Sequence, residues 1–140
     1  CDIETVRRRV AMAEGSDFVV VNANAAIAAE AMRAGGKGFA GVFTNFHPDL
    51  YAWLYAKCDA DSALRRRLEV FLALAAMAEP MGYPGLAKIY HTRLGTFGSA
   101  HSRVTNFDVT ERYWAVMDLL EHIEIGTAQF RTEIATQSLA

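Results

Sequence analysis

The chain has few side chains that could act as nucleophiles. Its three lysines are Lys37, Lys57 and Lys88. Lys57 lies near a predicted helix end and Lys37 between a predicted helix and strand, where lysines are usually solvated, whereas Lys88 stands in an otherwise apolar helix. For Lys88 we expect a structural salt bridge rather than a catalytic role. Cys58 has no base near it in sequence that would activate a thiol, so we expect a structural cysteine.

Metal and phosphate sites are not indicated. The four histidines lack the i, i+4 spacing with a nearby carboxylate that helical zinc sites use; they are His47, His91, His101 and His122. The segment Gly35-Gly36-Lys37-Gly38 follows a helix and opens a strand, the reverse of the order in a phosphate-binding loop. The arginine runs 7–9 and 65–67 fan around their helices, and we expect solvated faces or interface contacts there. We therefore expect no metal and no bound phosphate.

Composition and charge predict a globular protein that does not bind polyanions. Hydrophobic residues make up 52% of the 140 residues, against 21% charged, and the net charge of −2 produces no field that would attract nucleic acid or anionic lipid. The longest apolar run, 70–78, is about half of the roughly 20 residues that span a bilayer. Cys1 and Cys58 are far apart in sequence and predict free thiols in a reducing compartment. We expect a soluble, cytoplasmic protein with no membrane or nucleic-acid partner.

The first third of the chain alternates predicted helices and strands. A helix over 3–13, with Asp2 as N-cap, precedes an apolar, β-branched run at 17–21 that favours a buried strand. A second helix over 24–34 leads to a second predicted strand at 38–43. Helix, strand, helix and strand with short connections are typical of units that build a parallel sheet.

Only helices are predicted further along. One begins at Pro48, and others cover 61–77, 84–94 and 110–122, whereas the residues after Gly126 are at best weakly helical. Two parallel strands do not form a stable open sheet, because sheets usually contain about five or six strands. The profile therefore predicts that further strands precede this sequence.

Several segments of the chain together form a recognisable combination: 15–21, 30–38 and Asn45, with Pro48 three residues later. In the predicted C-terminal helices the combination continues at Tyr83, Pro84, Lys88, Gly95 and Arg103. It resembles the pyruvate-dependent lyases of the dihydrodipicolinate synthase and N-acetylneuraminate lyase family, and covers about three quarters of the chain.

The resemblance implies an α/β fold, the C-terminal half of a (β/α)₈ TIM barrel with a C-terminal helical region. Residues 18–22 and 38–43 would be strands 7 and 8. Residues 1–58 would form the end of the barrel, from helix 6 to helix 8, and 59–124 the C-terminal helices. The tail at 125–140 has no counterpart in the family.

The same resemblance implies a class I lyase or aldolase that forms a Schiff base with pyruvate or a related 2-oxo acid, without a metal or organic cofactor. Cys1-Asp2-Ile3 resembles the residues that follow the family's catalytic lysine. That lysine would lie a few residues before Cys1, so this chain holds no catalytic residue and would be inactive alone. The family's usual assembly implies a homo-oligomer, a dimer of dimers.

The substrate-binding residues are predicted at the C-terminal ends of the two strands, because barrel active sites lie there. On the family pattern these are Asn22, Ala23, Asn24, Ala40, Gly41 and Val42, and the Ala40 backbone would lie near the 2-oxo acid. Segment 23–26 has no carboxylate where the family places them, and Val42 replaces a serine of the sialic acid lyases. Both departures argue against sialic acid cleavage.

Two alternatives remain open. The protein could be a catalytically inactive homologue that serves as a binding or regulatory protein, which the residue at the lysine position would decide. The 140 residues could also be a self-contained, mostly helical interaction domain, which a cooperative melt of a monodisperse monomer would favour.

Overall fold

The computed structural model describes residues 1–137, and in them the chain is all-helical, without a β-strand. The α-helices are α1 (Ile3–Ala13), α2 (Ala28–Arg33), α3 (Pro48–Ala56), α4 (Ala63–Ala75), α5 (Gly85–Arg93), α6 (Val109–Arg112) and α7 (Val116–Gln137). Short 3₁₀ turns cover Ala25–Ile27, Val42–Asn45 and Ala76–Ala78.

The prediction of half a TIM barrel, with residues 18–22 and 38–43 as strands, is therefore wrong. The two segments run side by side in parallel but share one isolated bridge, between Asn22 and Phe39. Backbone hydrogen bonds connect Lys37 N to Val20 O (2.8 Å), Asn22 N to Gly38 O (3.2 Å) and Ala40 N to Asn22 O (2.8 Å).

The physical reason is the lack of neighbours for these segments among the described residues. The second segment leaves the extended conformation at once, because the 3₁₀ turn Val42–Asn45 begins two residues beyond Ala40. The first has one bridged neighbour among the described residues, and its faces are open to solvent, where Phe18 is 83% and Val19 is 68% exposed. An apolar, β-branched run predicts a buried strand only if other strands cover it.

The helix predictions differ in outcome: the helix over 84–94 is confirmed as α5 within one residue at each end, whereas the helix predicted over 24–34 is the 3₁₀ turn Ala25–Ile27 followed by α2. Helix α1 spans the predicted residues, and Thr5 N donates to the Asp2 carboxylate at its start (2.8 Å). The predicted helix at 110–122 is instead divided between α6 and α7, with Ala115 at a positive φ of 56° between them. Helix α7 continues through Gln137, so the prediction of a weakly helical segment after Gly126 is also wrong.

The chain divides into two compact units, Cys1–Ala76 and Met77–Ala140. In the first unit, a leucine core forms where α3 meets α4. Its fully buried members are Leu50, Leu54, Leu68 and Leu72. Leu68 and Leu72 lie one turn apart on α4, as expected of the buried face of an amphipathic helix.

The second unit has a core of its own. Its buried apolar side chains come from α5, α6 and α7, and include Leu86, Tyr90, Val109, Val116, Leu120 and Ile123. Arg93 donates two hydrogen bonds to the Glu124 carboxylate (2.9 and 3.0 Å). Across residues 1–137, none of the helices combines the length and the apolar character needed to cross a bilayer.

Candidate functional site

The six residues for which substrate contact was predicted lie together. The two extended segments run in the same direction, so Asn22–Asn24 and Ala40–Val42 emerge at the same end, with Ala40 N donating to Asn22 O (2.8 Å). Gly41 packs against the Ala23 carbonyl so closely that an added Cβ would lie 2.9 Å from that oxygen. A Cβ there would also collide with the Phe39 ring, at 2.3 Å. Glycine at position 41 therefore allows the two segments to meet.

The Asn22 side chain shapes this end of the first segment. It is 3% exposed, accepts a hydrogen bond from Asn24 N through Oδ1 (3.0 Å) and donates to Asn24 O through Nδ2 (2.7 Å). Asparagine is suited to such a turn, because its amide can bond the backbone two residues on. Both polar atoms of the Asn22 side chain thus fix the backbone of Asn24.

The Asn24 side chain is also engaged within the protein. Its Oδ1 accepts from Ala26 N (3.0 Å) and caps the 3₁₀ turn Ala25–Ile27, while its Nδ2 donates to Cys1 O (3.1 Å). The amide thereby ties the start of the chain to the candidate site.

The surface that the six residues present is small and largely apolar. Ala23, Asn24 and Ala40 are exposed, Val42 is half-buried and Gly41 is buried. None of the six carries a charge. We call this six-residue surface the wall.

In the first unit, the described hydrogen bonds of Lys37 and Lys57 do not involve the side chains of the wall. Lys37 follows α2, and its N–H bonds Val20 O, at the opposite end of the paired segments from Ala40. Lys57 is exposed at the C-terminal end of α3. Lys88, in the second unit, donates from Nζ to the His101 carbonyl (2.8 Å).

The other candidate nucleophile is held in its neutral form. Cys58 is a half-buried free thiol. Burial, with a smaller contribution from the adjacent Asp59 carboxylate, raises the pKa of this thiol, although Arg33 opposes the shift. Because only the thiolate is a strong nucleophile, the geometry supports the structural role expected from sequence.

Metal-binding clusters are not found in residues 1–137, where no three His, Cys, Asp or Glu side chains come together. The first unit has a cavity of about 160 Å³ beside the turn Ala25–Ile27, bordered by Arg33 and Glu69, whose side chains pair at 3.2 Å. Ligand pockets usually measure roughly 300 to 1,000 Å³, so this cavity is small for a substrate.

A buried polar cluster was not recognised from sequence. Arg65, expected on a solvated or interface surface, is 9% exposed, and its guanidinium bonds the Glu69 carboxylate and the Ala60 carbonyl. Arg33 also contacts Glu69. The i, i+4 spacing of Arg65 and Glu69 could have indicated the pair.

Tyr51 was likewise missed as a polar group in the core. Its ring stacks on Phe39 with 4.1 Å between centroids, and its hydroxyl is buried without a hydrogen-bond partner among the described residues. Burial raises the pKa of this phenol above its usual value near 10. Tyr51 follows His47 by four residues, and the two rings are 5.7 Å apart.

Comparison with known proteins adds no assignment: no protein-family model, no curated protein and no solved structure matches the chain. The resemblance to the pyruvate-dependent lyases therefore rests on the sequence segments described above.

Proposed function

We propose that this chain belongs to a protein that forms a Schiff base with pyruvate or a related 2-oxo acid and acts as a lyase or aldolase. The observation that carries the proposal is the convergence of Asn22–Asn24 with Ala40–Val42. The sequence resemblance implies substrate contact for these two stretches, and they lie beside each other in the fold.

The proposed reaction begins with an uncharged lysine amine, which attacks C2 of the 2-oxo acid. Water leaves, and the resulting iminium withdraws electrons from C3, which loses a proton to a base. The enamine carbon then forms a bond to the carbonyl carbon of an aldehyde, whose oxygen takes up a proton. Hydrolysis of the imine releases the product and restores the lysine, and the reverse sequence cleaves the same bond.

The wall would take part in this reaction by shape rather than by proton transfer. Its six residues provide no acid, base or amine. We place the Schiff-base lysine outside this sequence, as the resemblance to the family implies. In this proposal the chain provides a surface against which the substrate lies.

An exposed apolar edge supports operation within a larger assembly. Phe18, Val19 and Val21 are 83, 68 and 52% exposed within the first extended segment. Exposed apolar surface commonly marks a site that other protein covers. We include in the proposal a homo-oligomer, a dimer of dimers, and a cytoplasmic location, which the two free cysteines support.

Borohydride reduction of the intact natural protein in the presence of pyruvate tests the mechanism. Mass spectrometry should find one reduced pyruvate adduct, on a lysine outside these 140 residues. The variants Lys37→Arg, Lys57→Arg and Lys88→Arg should each retain the adduct in full. An adduct on any of these three lysines, or inactivation by borohydride without a 2-oxo acid, would contradict the proposal.

A second candidate is a helical interaction domain, and the all-helical structure of residues 1–137 favours it. The 140-residue chain, expressed alone, would then melt cooperatively as a monodisperse monomer, and the natural protein would give no adduct. Pyruvate binding without an adduct would instead indicate the inactive homologue.

A further inference from the structure

The first extended segment, residues 18–22, has backbone groups that nothing in the described structure pairs. Along one edge, the backbone of Val20 and Asn22 bonds the second extended segment at 2.8 to 3.2 Å. Backbone groups alternate between the two edges of an extended chain, so those of Val19 and Val21 point to the other edge. No hydrogen bond connects the backbone of Val19 or Val21 to another described residue. We call these N–H and C=O groups the free edge.

The side chains beside the free edge do not protect it. Phe18, Val19 and Val21 are apolar and are 83, 68 and 52% exposed. Proteins usually block an unpaired edge with a charged side chain or a proline, and residues 18–22 include neither. An apolar, uncharged edge of this kind is a template for pairing with another extended chain.

The pattern of charges favours the same segment of a second copy, in antiparallel orientation, as the occupant. Residues 18–26 carry no charge, and Asp17 is the nearest charged residue. In parallel, in-register pairing the two Asp17 carboxylates would lie opposite each other, which is destabilising. In antiparallel pairing centred on Val20, each Asp17 lies opposite Ala23 of the second copy, and the two carboxylates are roughly 20 Å apart. The net charge of −2 adds little repulsion between copies.

We propose that two copies of this chain associate through the free edge, as an antiparallel pair with a twofold axis at Val20. The backbone of Val19 bonds that of Val21 in the second copy, and the symmetry repeats these bonds, so every group of the free edge is paired. The Val19 and Val21 side chains of the two copies then face each other, and such β-branched pairs stabilise antiparallel sheets. The interface goes beyond the proposed reaction and does not depend on it.

Sedimentation velocity of the intact natural protein over a range of concentrations tests the interface. The wild type should sediment as an even-numbered oligomer. Val19→Lys places a charge at the free edge, so the oligomer should split into halves or its dissociation constant should rise by roughly tenfold or more. Leu74→Lys is the matched control, because Leu74 on α4 is 67% exposed and Val19 is 68% exposed. The control should leave the mass of the oligomer unchanged.

A cysteine variant tests the register and does not require Val19→Lys to fold. Val20 lies opposite Val20 of the second copy, where the Cα atoms of an antiparallel pair are about 4.5 Å apart. Val20→Cys should form a disulfide-linked dimer on mild oxidation, since disulfides join Cα atoms about 4.4 to 6.8 Å apart. Phe18→Cys is the control and should not form it, because the two positions 18 would lie roughly 14 Å apart. Mass spectrometry of unreduced peptides identifies the linked residue.

The outcomes separate the interface from the proposed function. A wild type that is monomeric at every concentration overturns the interface, as does an unchanged oligomer mass in a folded Val19→Lys variant. If Val19→Lys does not fold, the lack of a Val20→Cys dimer, or an equal yield from Phe18→Cys, overturns it. Borohydride trapping is a separate measurement: a pyruvate adduct on a monomer contradicts the interface alone, and a cross-linked dimer without an adduct contradicts the proposed function alone.

Discussion

Two apolar stretches of the first unit have opposite fates. Segment 18–21 and the leucine face of α4 are both apolar in sequence, yet Val19 is 68% exposed and Leu68 is fully buried. Helix α4 packs against α3 and against the turn Ala25–Ile27. The extended segment pairs along one edge, with residues 37–40.

The difference shows that burial depends on neighbours as much as on residue type. A helix satisfies its own backbone hydrogen bonds and needs one apolar partner for its buried face. An extended segment needs neighbours on both edges and cover for its faces. Segment 18–21 has one such neighbour in the described structure, and its side chains remain in solvent.

Substitution of matched leucines on α4 is expected to have the largest effect. Leu68→Ala leaves a cavity at a fully buried position and should lower the free energy of unfolding of the chain by about 2 to 5 kcal/mol. Leu74→Ala, on the same helix at 67% exposure, should change it by less than about 0.5 kcal/mol. Urea denaturation of each variant and of the wild type measures the two changes in the free energy of unfolding. Equal losses would show that the contrast between buried and exposed apolar positions does not govern stability here.

Tyr51→Phe tests a polar group inside the same core. The variant removes a buried hydroxyl that lacks a hydrogen-bond partner, so the free energy of unfolding should rise by about 1 kcal/mol. A destabilised variant would show that the hydroxyl makes a favourable interaction in solution.

The same variant carries a pH prediction. Burial raises the Tyr51 pKa in the folded state, so the unfolded chain ionises first as the pH rises. The unfolded state then binds fewer protons, and the stability due to this group falls as the pH rises above about 10. The melting temperature of Tyr51→Phe should therefore fall less than that of the wild type as the pH rises above about 10. An equal fall for both proteins would contradict a raised pKa of Tyr51 in the folded state.

Ser62→Ala tests whether α4 depends on its cap as well as on its leucines. The Ser62 hydroxyl accepts from Arg65 N (3.1 Å) at the start of α4, and its loss should cost about 1 kcal/mol of unfolding free energy. Ser62→Asn, which keeps a capping acceptor, should be close to the wild type. If the alanine variant is as stable as the asparagine variant, packing alone defines the start of the helix.

The smallest expected effect lies in the second unit, at the cap of α6. Hydrogen bonds from the Thr110 hydroxyl (2.6 Å) and backbone N (2.7 Å) lower the pKa of the Asp108 carboxyl. Its contribution to stability is complete above the unfolded value near 4 and is lost as the pH falls through the lower folded value. Asp108→Asn keeps a hydrogen-bond acceptor that does not titrate between about pH 5 and about pH 2. The melting temperature of the variant should therefore fall less over that pH range than the melting temperature of the wild type.

Much of the helical structure was predictable, because its signals are local. Asp2 caps α1 as expected, and Pro48 begins α3 at the expected residue. The division between α6 and α7 was not predictable, because Ala115 adopts a left-handed conformation that alanine disfavours and that no turn residue indicates.

The six residues predicted to contact substrate lie together in the fold, but the sequence did not predict the hydrogen bonds of the Asn22 and Asn24 side chains. Asn22 and Asn24 were predicted to contact substrate, and in the structure their side chains hydrogen-bond the protein itself. Hydrogen bonds between a side chain and a distant backbone group, such as Asn24 with Cys1 O, have no signal in residue spacing.

The sequence by itself determined where α1 and α3 begin, which face of α4 is apolar and which side chains could react, because these depend on residues within one or two turns. Tertiary structure alone decided that segments 18–22 and 38–40 pair at a single bridge and that the wall is apolar. Strand formation and solvent exposure depend on neighbours distant in sequence, and local patterns do not contain them.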